Sequence, residues 1–465
     1  MEKHITEQEI LRRRDMRDVL TFTIDPDDAK DCDDALSFAD LGDGTMQIGV
    51  HIADVTHYVR PDTDIDRRAY DRATSVYLVD RVIPMLPEEL CNDLCSLREG
   101  EDKLCMSVVF VINAEAEVLK HKICRTVIRS NRRLTYGQAQ EILTRGARDA
   151  ETNDALAEAL LRLNTLAKLL RQRRFAAGAL DIEQEEIRFR MDEHKHPVEI
   201  WFEQPTDANH LIEEFMLLAN RTVARTVSEW HGNRGQSPAF VYRVHDKPDD
   251  EKMKALHQFE RRMRKLSDSP IAGQVIEMLT VRAMAKAVYS THNIGHYGLA
   301  FSHYTHFTSP IRRYPDMMVH RLVDKYILSG KQDSWTQEQL QEACDHCSQR
   351  EQEAQQAERD SIKLFQALWV QDHLGEEFDG HISGVTDFGV FVRLDATRTE
   401  GLIHITKLLP DDYMLYDEKN FRLIAQRSGQ TFTLGDPIRV QVVRSDPDKL
   451  QIDFLPANSA QNAEK

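Results

Sequence analysis

The sequence from Thr23 to Phe38 reads TIDPDDAKDCDDALSF and carries six aspartates within ten residues. Such crowding of carboxylates is electrostatically unfavourable unless cations are bound. The cluster stands between the apolar, strand-like stretches TFTI and ALSF, and an acidic cluster between buried strands is more typical of a functional site than of a solvated turn. Oxygen ligands at this density suit Mg²⁺ or Mn²⁺. The stretch therefore predicts a metal site between two buried strands.

A calcium-binding EF-hand loop and an acidic surface turn are the alternatives for this stretch. An EF-hand loop that starts at Asp31 would place Leu36 where glycine is required and Gly42 where the bidentate glutamate must stand. The EF-hand interpretation therefore fails. A surface turn is the usual fate of aspartate runs, and the apolar flanks are the argument against it.

The composition is that of a globular protein with more than one domain. The chain has 465 residues, of which 41% are hydrophobic and 29% charged, and this length exceeds one hydrophobic core. The sequence shows no run of about 18 apolar residues, and the charged start MEKHITEQEILRRRDMRD lacks the apolar core of a signal peptide, which predicts a cytoplasmic protein. The net charge of −17 is unlike that of a basic nucleic-acid binder. Net charge, however, governs long-range steering rather than a local groove.

The cysteines predict neither a disulfide framework nor a zinc site. Their number is seven, which is odd, and they are spread along the chain. Cys344 and Cys347 have the spacing of half a zinc site, but no second pair of ligands follows them. The surrounding segment has the composition of a helix, in which these two positions share a face. We expect both to be packing residues.

Strand-like and helix-like stretches follow one another in an order that predicts an α+β protein. Strand-like stretches fall within residues 21–59 and 103–130, and five short β-rich segments after residue 375 fit a small closed barrel. Apolar residues recur at helical spacing elsewhere. The predicted helices lie at residues 136–176, 208–230, 249–266, 270–290, 314–329 and 336–373.

The acidic stretch resembles the signature of the ribonuclease II/R (RNB) family, in which four aspartates follow a D-x5-D-x-D-D pattern. In this chain those positions are Asp25, Asp31, Asp33 and Asp34. The barrel region resembles an S-one-type RNA-binding domain through GHISGVTDFGVFVRL, EGLIHI and LQIDF. Other stretches are similar to further blocks of the family, in the family's order: HIADVTHYV (51–59), ATSVYLVDRVIPMLPEELCNDLCSL (73–97), IEEFMLLAN (212–220), YRVHDKPD (242–249) and YTHFTSPIRRYPDMMVHR (304–321).

The resemblance covers about residues 15–456 and implies the following domains. A charged N-terminal segment at 1–18 precedes a large mixed α/β RNB catalytic domain at 19–373. A five-stranded OB-fold barrel follows at 376–456, and a disordered tail at 457–465. We expect the chain to lack the cold-shock-type domains that precede the catalytic domain in the family.

The resemblance implies a processive 3′→5′ exoribonuclease that hydrolyses single-stranded RNA to 5′-nucleoside monophosphates in RNA decay, turnover or quality control. It implies two divalent ions, Mg²⁺ with Mn²⁺ as a substitute. Asp25 and Asp34 would be metal ligands, Asp31 would help to hold metal, and Asp33 would bind or orient the second ion or the water. Two ions can bind the attacking water and the phosphate and offset charge on the leaving oxygen, so the residues are compatible with this chemistry.

Arg312 and Arg313 in SPIRRY are the candidate cations for the transition state. Arginine offers planar, bidentate hydrogen bonding to phosphate. The resemblance favours Arg312 as the catalytic residue. Arg313 either takes part in catalysis or pairs with a structural acid.

The resemblance also implies residues that hold the RNA in the catalytic domain. Tyr77 matches an aromatic residue that stacks on the 3′-terminal nucleotide, although a tyrosine in a VYL run is usually a core residue. Ile182 stands where the family has a second stacking aromatic, so it offers less area to a base. Glu358 matches a position near the active-site end of the channel, or is a surface helix acid.

Three residues of the barrel match the positions of OB folds that contact nucleic acid. Phe388 and Phe391 are three apart across a predicted turn, and His404 follows the next strand-like stretch. The alternative is that one of the two phenylalanines fills the barrel interior.

Two functions compete with the exoribonuclease. A non-catalytic RNA-binding protein on a nuclease scaffold would be expected to have lost an acid or an arginine of SPIRRY, and neither is lost. A phosphohydrolase of small molecules would not need the barrel. We expect a monomer with single-stranded RNA as its partner, together with RNA-decay or ribosome-associated factors.

Overall fold

The architecture joins a seven-stranded mixed sheet, covered by helices, to a closed five-stranded barrel. It is seen in a computed structural model that describes residues 5–146, 154–180, 185–230, 238–248, 284–331 and 335–457. The predicted α+β class, with a large domain followed by a small barrel, is confirmed. Among the helices in these ranges, none is long and apolar enough to cross a membrane.

The first nine strands form the large sheet and a small hairpin beside it. Across the sheet the order is β1-β8-β7-β4-β3-β2-β9, and β5 pairs with β6. All residues of β2 are buried, as expected for a strand with both sheet faces covered. In chain order the strands are β1 (Arg14–Asp15), β2 (Thr21–Asp25), β3 (Asp34–Asp40), β4 (Thr45–Ala53), β5 (Val76–Tyr77), β6 (Val82–Ile83), β7 (Asp102–Asn113), β8 (Val118–Arg129) and β9 (Arg132–Thr135).

Helices pack on the sheet through apolar residues at helical spacing. On α6, for example, Leu211, Phe215 and Leu218 are buried. In chain order the helices are α1 (Glu7–Leu11), α2 (Val55–Tyr58), α3 (Asp64–Arg72), α4 (Tyr136–Arg145), α5 (Asp154–Ala176), α6 (Asp207–Glu229), α7 (Tyr314–Val323), α8 (Gln337–Gln371) and α9 (Ile405–Leu408).

Two of the predicted helices differ from the structure. The helix predicted at 136–176 is interrupted, because α4 ends at Gly146, which adopts the left-handed conformation that favours glycine (φ 59°). The helix predicted at 270–290 is wrong at its end, where Val288–Ser290 forms a strand, β13, against Tyr242–Val244, β12. Residues 249–283, which include the helix predicted at 249–266, lie outside the described residues.

The N-terminal segment takes part in the large sheet, so the division predicted at residue 19 falls inside it. β1 pairs with β8. Just before β1, the buried guanidinium of Arg13 lies 2.7 Å from Asp54 Oδ2 and donates to the carbonyl of Cys105. This buried ion pair ties the segment to the end of β4.

The C-terminal barrel closes in the order β14-β15-β16-β21-β20. Before the barrel, β10 (Glu186–Met191) and β11 (Pro197–Glu203) form a hairpin, and the end of α8 enters the barrel core through Ala367, Trp369 and Val370. A three-stranded sheet, β17-β18-β19, is inserted after the third barrel strand and was not predicted. The remaining strands are β14 (Glu377–Thr386), β15 (Gly389–Leu394), β16 (Glu400–His404), β17 (Met414–Asp417), β18 (Arg422–Ala425), β19 (Thr431–Thr433), β20 (Pro437–Asp446) and β21 (Gln451–Pro456).

The cysteines are all free and buried. Cys344 and Cys347 lie on the buried face of α8, in the core of the large domain. Their positions agree with the packing role expected from the sequence.

Candidate active site

The acidic stretch forms the loop between β2 and β3. β2 ends at Asp25 and β3 begins at Asp34, and the two strands pair antiparallel at Phe22 and Leu36. Antiparallel pairing places the end of one strand opposite the start of the next. The loop therefore returns Asp34 to the edge of the sheet at which Asp25 ends.

Asp33 connects this loop to the distant SPIRRY segment. Its Oδ1 accepts a hydrogen bond from the backbone N–H of Ile311 at 2.9 Å, across 278 residues of sequence. Its Oδ2 lies 3.7 Å from Nε of Arg312. The fold thus brings one of the four aspartates and the candidate catalytic arginine to the same place.

The two arginines of SPIRRY have different surroundings. The side chain of Arg312 is 42% exposed and donates to the hydroxyl of Ser309. The side chain of Arg313 is 17% exposed and donates to Oδ1 of the fully buried Asp316 at 2.8 Å. Arg313 therefore makes an ion pair of the kind that the sequence left open, whereas the catalytic role of the more exposed Arg312 stays a prediction.

The electrostatics of the loop are those of carboxylates whose burial outweighs the nearby positive charge. Burial raises the pKa of Asp25, Asp31 and Asp33, and that of Asp33 lies well above its usual range. The pKa of Asp34 is raised to about 7, by burial first and then by the charge of Asp25, while Arg312 acts in the opposite direction. Positive charge brought to these groups would lower their pKa values, because an opposite charge nearby favours the ionised form.

The donor set fits a hard divalent cation. Every candidate ligand is a carboxylate oxygen, as Mg²⁺ and Mn²⁺ prefer, and the buried Oδ2 of Asp25 has no hydrogen-bond partner. Within the part of the chain that the structure describes, no three acidic, histidine or cysteine side chains converge into a ready-made metal site.

Tyr77 lies beside the acidic loop, on the hairpin formed by β5 and β6. Its side chain remains 39% exposed. Burial raises the pKa of its hydroxyl, Arg312 acts in the opposite direction, and the charges of Asp31 and Asp33 add to the rise. The partial exposure differs from that of a core residue, and stacking on RNA stays a prediction.

The other two residues predicted to hold RNA in this domain have different outcomes. Glu358 lies on α8, and its Oε1 accepts a hydrogen bond from the backbone N–H of Tyr77 at 3.0 Å. Its visible contact is therefore with the hairpin. Ile182 lies outside the described residues, so its orientation stays a prediction.

The three predicted barrel residues lie together on adjoining strands. Phe388, 45% exposed, precedes β15, and its ring makes an edge-on contact with Phe391 at 6.1 Å between centroids. Gly389 pairs with His404 at the end of β16, which places the exposed imidazole near the two rings. The three side chains form one surface rather than filling the barrel.

Tyr136 is a residue of this site that sequence reasoning missed. β9 runs parallel to β2 with Thr135 beside Asp25, so Tyr136 follows directly at the acidic edge. Burial raises the pKa of its hydroxyl, and the charges of Asp34 and Asp25 add to this effect. The sequence signal for Tyr136 is the strand-like stretch RRLT directly before it. The sequence alone does not show that this stretch pairs with β2.

The class of protein is indicated by an acidic loop with buried aspartates, an adjacent arginine and a C-terminal OB barrel. Residues 13–329 match the RNB domain, and residues 371–455 match the S1 RNA binding domain. The chain belongs to the RNB family.

Among its relatives, the chain is similar to ribonuclease R of Thermotoga maritima, with 39% identity over 97% of this chain and 66% of that protein. It is also similar to ribonuclease R of Escherichia coli, with 36% identity over 98% of this chain and 58% of that protein. The chain thus spans less than two thirds of the length of these relatives.

A solved structure supports the same relationship. The structure of Mycoplasma genitalium RNase R in complex with ribose-methylated single-stranded RNA has a TM-score of 0.89 and 27% identity, covering 98% of this chain and 73% of that one.

Proposed function

We propose that this protein is a processive, metal-dependent 3′→5′ exoribonuclease that hydrolyses single-stranded RNA to 5′-nucleoside monophosphates, and that it serves RNA decay, turnover or quality control. The observation that carries the proposal is the contact of Asp33 with the Ile311–Arg312 segment. It joins the carboxylates and the arginine into one site that suits phosphodiester hydrolysis. Membership in the family, whose relatives are named ribonuclease R, supports the same reaction.

Each residue has a separate task in the proposed reaction. Asp25, Asp31, Asp33 and Asp34 would hold divalent metal, Mg²⁺ with Mn²⁺ as a substitute, which supplies a Lewis acid and an activated water. The exposed guanidinium of Arg312 donates to the non-bridging oxygens of the scissile phosphate, where charge develops in the transition state. Arg313 keeps this segment in place through Asp316.

The 3′ end of the RNA is held by stacking rather than by base recognition. The ring of Tyr77 offers its face to the terminal base, and every base can stack, so the sequence of the RNA is not read. The surface of Phe388, Phe391 and His404 would hold the strand further upstream. Because the chain carries a net charge of −17, this capture depends on local contacts.

The cysteines bear on the cellular compartment in which the protein acts. The seven free cysteines agree with a reducing compartment, the cytoplasm. We propose that the chain acts as a monomer on single-stranded RNA, with RNA-decay or ribosome-associated factors as further partners.

The test is to incubate 5′-labelled single-stranded RNA with the protein and Mg²⁺, with and without a chelator. A ladder that shortens from the 3′ end to a short limit product, and that stops with the chelator, is the expected result. RNA that is bound but not shortened would mean an RNA-binding protein on a nuclease scaffold. Internal fragments would contradict the exonuclease.

A further inference from the structure

The strand segment that carries Tyr77 is held in register with the Arg312 segment. The backbone N–H of Ser75 donates to the carbonyl of Arg312 at 3.0 Å, and the N–H of Tyr314 donates to the carbonyl of Ala73 at 2.8 Å. Backbone hydrogen bonds of this kind fix the offset between two segments along their length. Tyr77 follows this pairing by only two residues.

Beyond Ser75 the segment is held by side chains of α8. The N–H of Tyr77 donates to Oε1 of Glu358 at 3.0 Å, and the N–H of Val79 donates to Oγ of Ser361 at 3.1 Å. Tyr77 is the last residue of β5 and Val79 lies in the bend that follows it, while residues three apart on a helix share a face. The two side chains of α8 therefore hold the end of β5 and the bend after it.

The helix that provides these contacts is itself anchored. Its last turns are buried in the barrel core through Trp369 and Val370, and the hydroxyl of Ser445 donates to the carbonyl of Ala367. Ser361 is only 8% exposed. The helix is thus a fixed support for the Tyr77 hairpin.

We propose that Ser361 is a positioning residue that, together with Glu358, sets the distance from Tyr77 to Arg312 and thereby the length of the shortest product. This inference rests on the proposed function. A short RNA has few contacts elsewhere, so its binding at the site depends on how well Tyr77 holds the terminal base while Arg312 reaches the scissile phosphate. If the hairpin moves on the helix, short RNAs dissociate before they are cut, and the limit product has more than one length.

Four variants test this role. Ser361→Ala removes the acceptor for the N–H of Val79, whereas Ser361→Thr keeps it. Glu358→Gln keeps an oxygen acceptor for the N–H of Tyr77, whereas Glu358→Ala does not. Ser348→Ala is the matched control, because Ser348 is also 8% exposed on α8 and accepts a backbone N–H, that of Tyr289, outside the hairpin.

The measurement is the distribution of limit-product lengths from 5′-labelled RNA, with KM, kcat and the melting temperature of each variant. Ser361→Ala and Glu358→Ala should raise the share of products of other lengths by roughly threefold to tenfold, the effect of one hydrogen bond on a population. KM for short oligonucleotides should rise more than kcat falls. Ser361→Thr and Ser348→Ala should give the wild-type length.

The outcomes separate this inference from the proposed function. If the wild type shortens RNA and Ser361→Ala gives an unchanged limit product, the positioning role is refuted. A Ser348→Ala variant that changes the product as much as Ser361→Ala would also refute it, since the effect would then be general destabilisation. A wild type that does not shorten RNA refutes the proposed function instead.

Discussion

At the scale of single residues, the two arginines of SPIRRY show that the role expected of a side chain depends on its contacts in the fold. The sequence makes them equivalent candidates, and the resemblance favours Arg312. The structure separates them by their contacts: Arg312 is the more exposed and lies beside Asp33, and Arg313 is mostly covered and pairs with the buried Asp316. The bond from Ile311 to Asp33 could not be predicted from the sequence, because 278 residues separate its ends.

The two arginines should therefore respond differently to the same substitution. Arg312→Gln should lower kcat by about 10²–10³-fold, the usual effect of losing one donor to transition-state charge, with little change in stability. Arg313→Gln should lower the free energy of unfolding by about 3–5 kcal/mol, because Asp316 is left buried without its counter-charge. Turnover and denaturant unfolding of both variants check this. Equal stability losses in the two would contradict the assignment.

His51 makes stability depend on pH. It is fully buried between the hydroxyls of Ser37 and Ser107, and burial lowers its pKa from 6.5 to about 3. Below pH 6.5 the imidazole of His51 is protonated in the unfolded chain but stays neutral in the folded chain. The stability that the neutral imidazole contributes is therefore complete above pH 6.5 and is lost as the pH falls towards 3.

Between about pH 7.5 and about pH 5.5 the wild type should thus lose about 1.4 kcal/mol more than His51→Gln, since one pH unit of such linkage is worth about 1.4 kcal/mol. Denaturant titrations of both proteins at the two pH values measure the difference. Effects of the acidic loop are common to both proteins and cancel. Parallel pH dependence in the two proteins would show that His51 can be protonated in the fold.

At the scale of elements, local pattern predicted the long helices well and the short strands poorly. α6 and α8 have helical periodicity and lie within two residues of their predicted ends. β17 to β19 are three or four residues long in a polar stretch, and they exist because they pair with one another. β13 is likewise defined by its partner β12 and not by its own residues.

The proposed function of the β5–β6 hairpin can be tested by replacing Tyr77. Tyr77→Ala should weaken binding of short RNA by about 1–3 kcal/mol, the usual contribution of one stacked base. It should also change the length of the limit product, because the terminal base is no longer held at the same depth. Fluorescence titration and product analysis give both quantities. An unchanged limit product would mean that Tyr77 acts only in packing.

At the scale of the whole molecule, the resemblance predicted the order of domains, and the structure adds how they are joined. α8 begins on the large domain and ends in the barrel core, so the barrel is not a loosely tethered module. The sequence does not predict that α8 connects the two cores, because the apolar residues at its end could pack equally well in either core.

The barrel should then act in capture and not in chemistry. Phe388→Ala combined with Phe391→Ala should weaken binding of long single-stranded RNA by about 2–6 kcal/mol, which is the usual contribution of two stacked bases. Turnover at saturation on RNA too short to reach the barrel should not change. Binding isotherms and single-turnover rates on long and short substrates make the comparison. A large loss of rate on short RNA would place these rings in the catalytic step.

We propose that the carboxylates of the β2–β3 loop hold metal for hydrolysis, and the decisive variant is Asp33→Asn. The amide keeps the size of the side chain and can still accept the N–H of Ile311, but it is a weaker ligand without charge. We expect turnover to fall by several orders of magnitude, RNA affinity to stay within roughly tenfold, and the rise in melting temperature on adding Mg²⁺ to be smaller. If the variant retains more than roughly a tenth of wild-type turnover, these carboxylates do not hold the metal for hydrolysis.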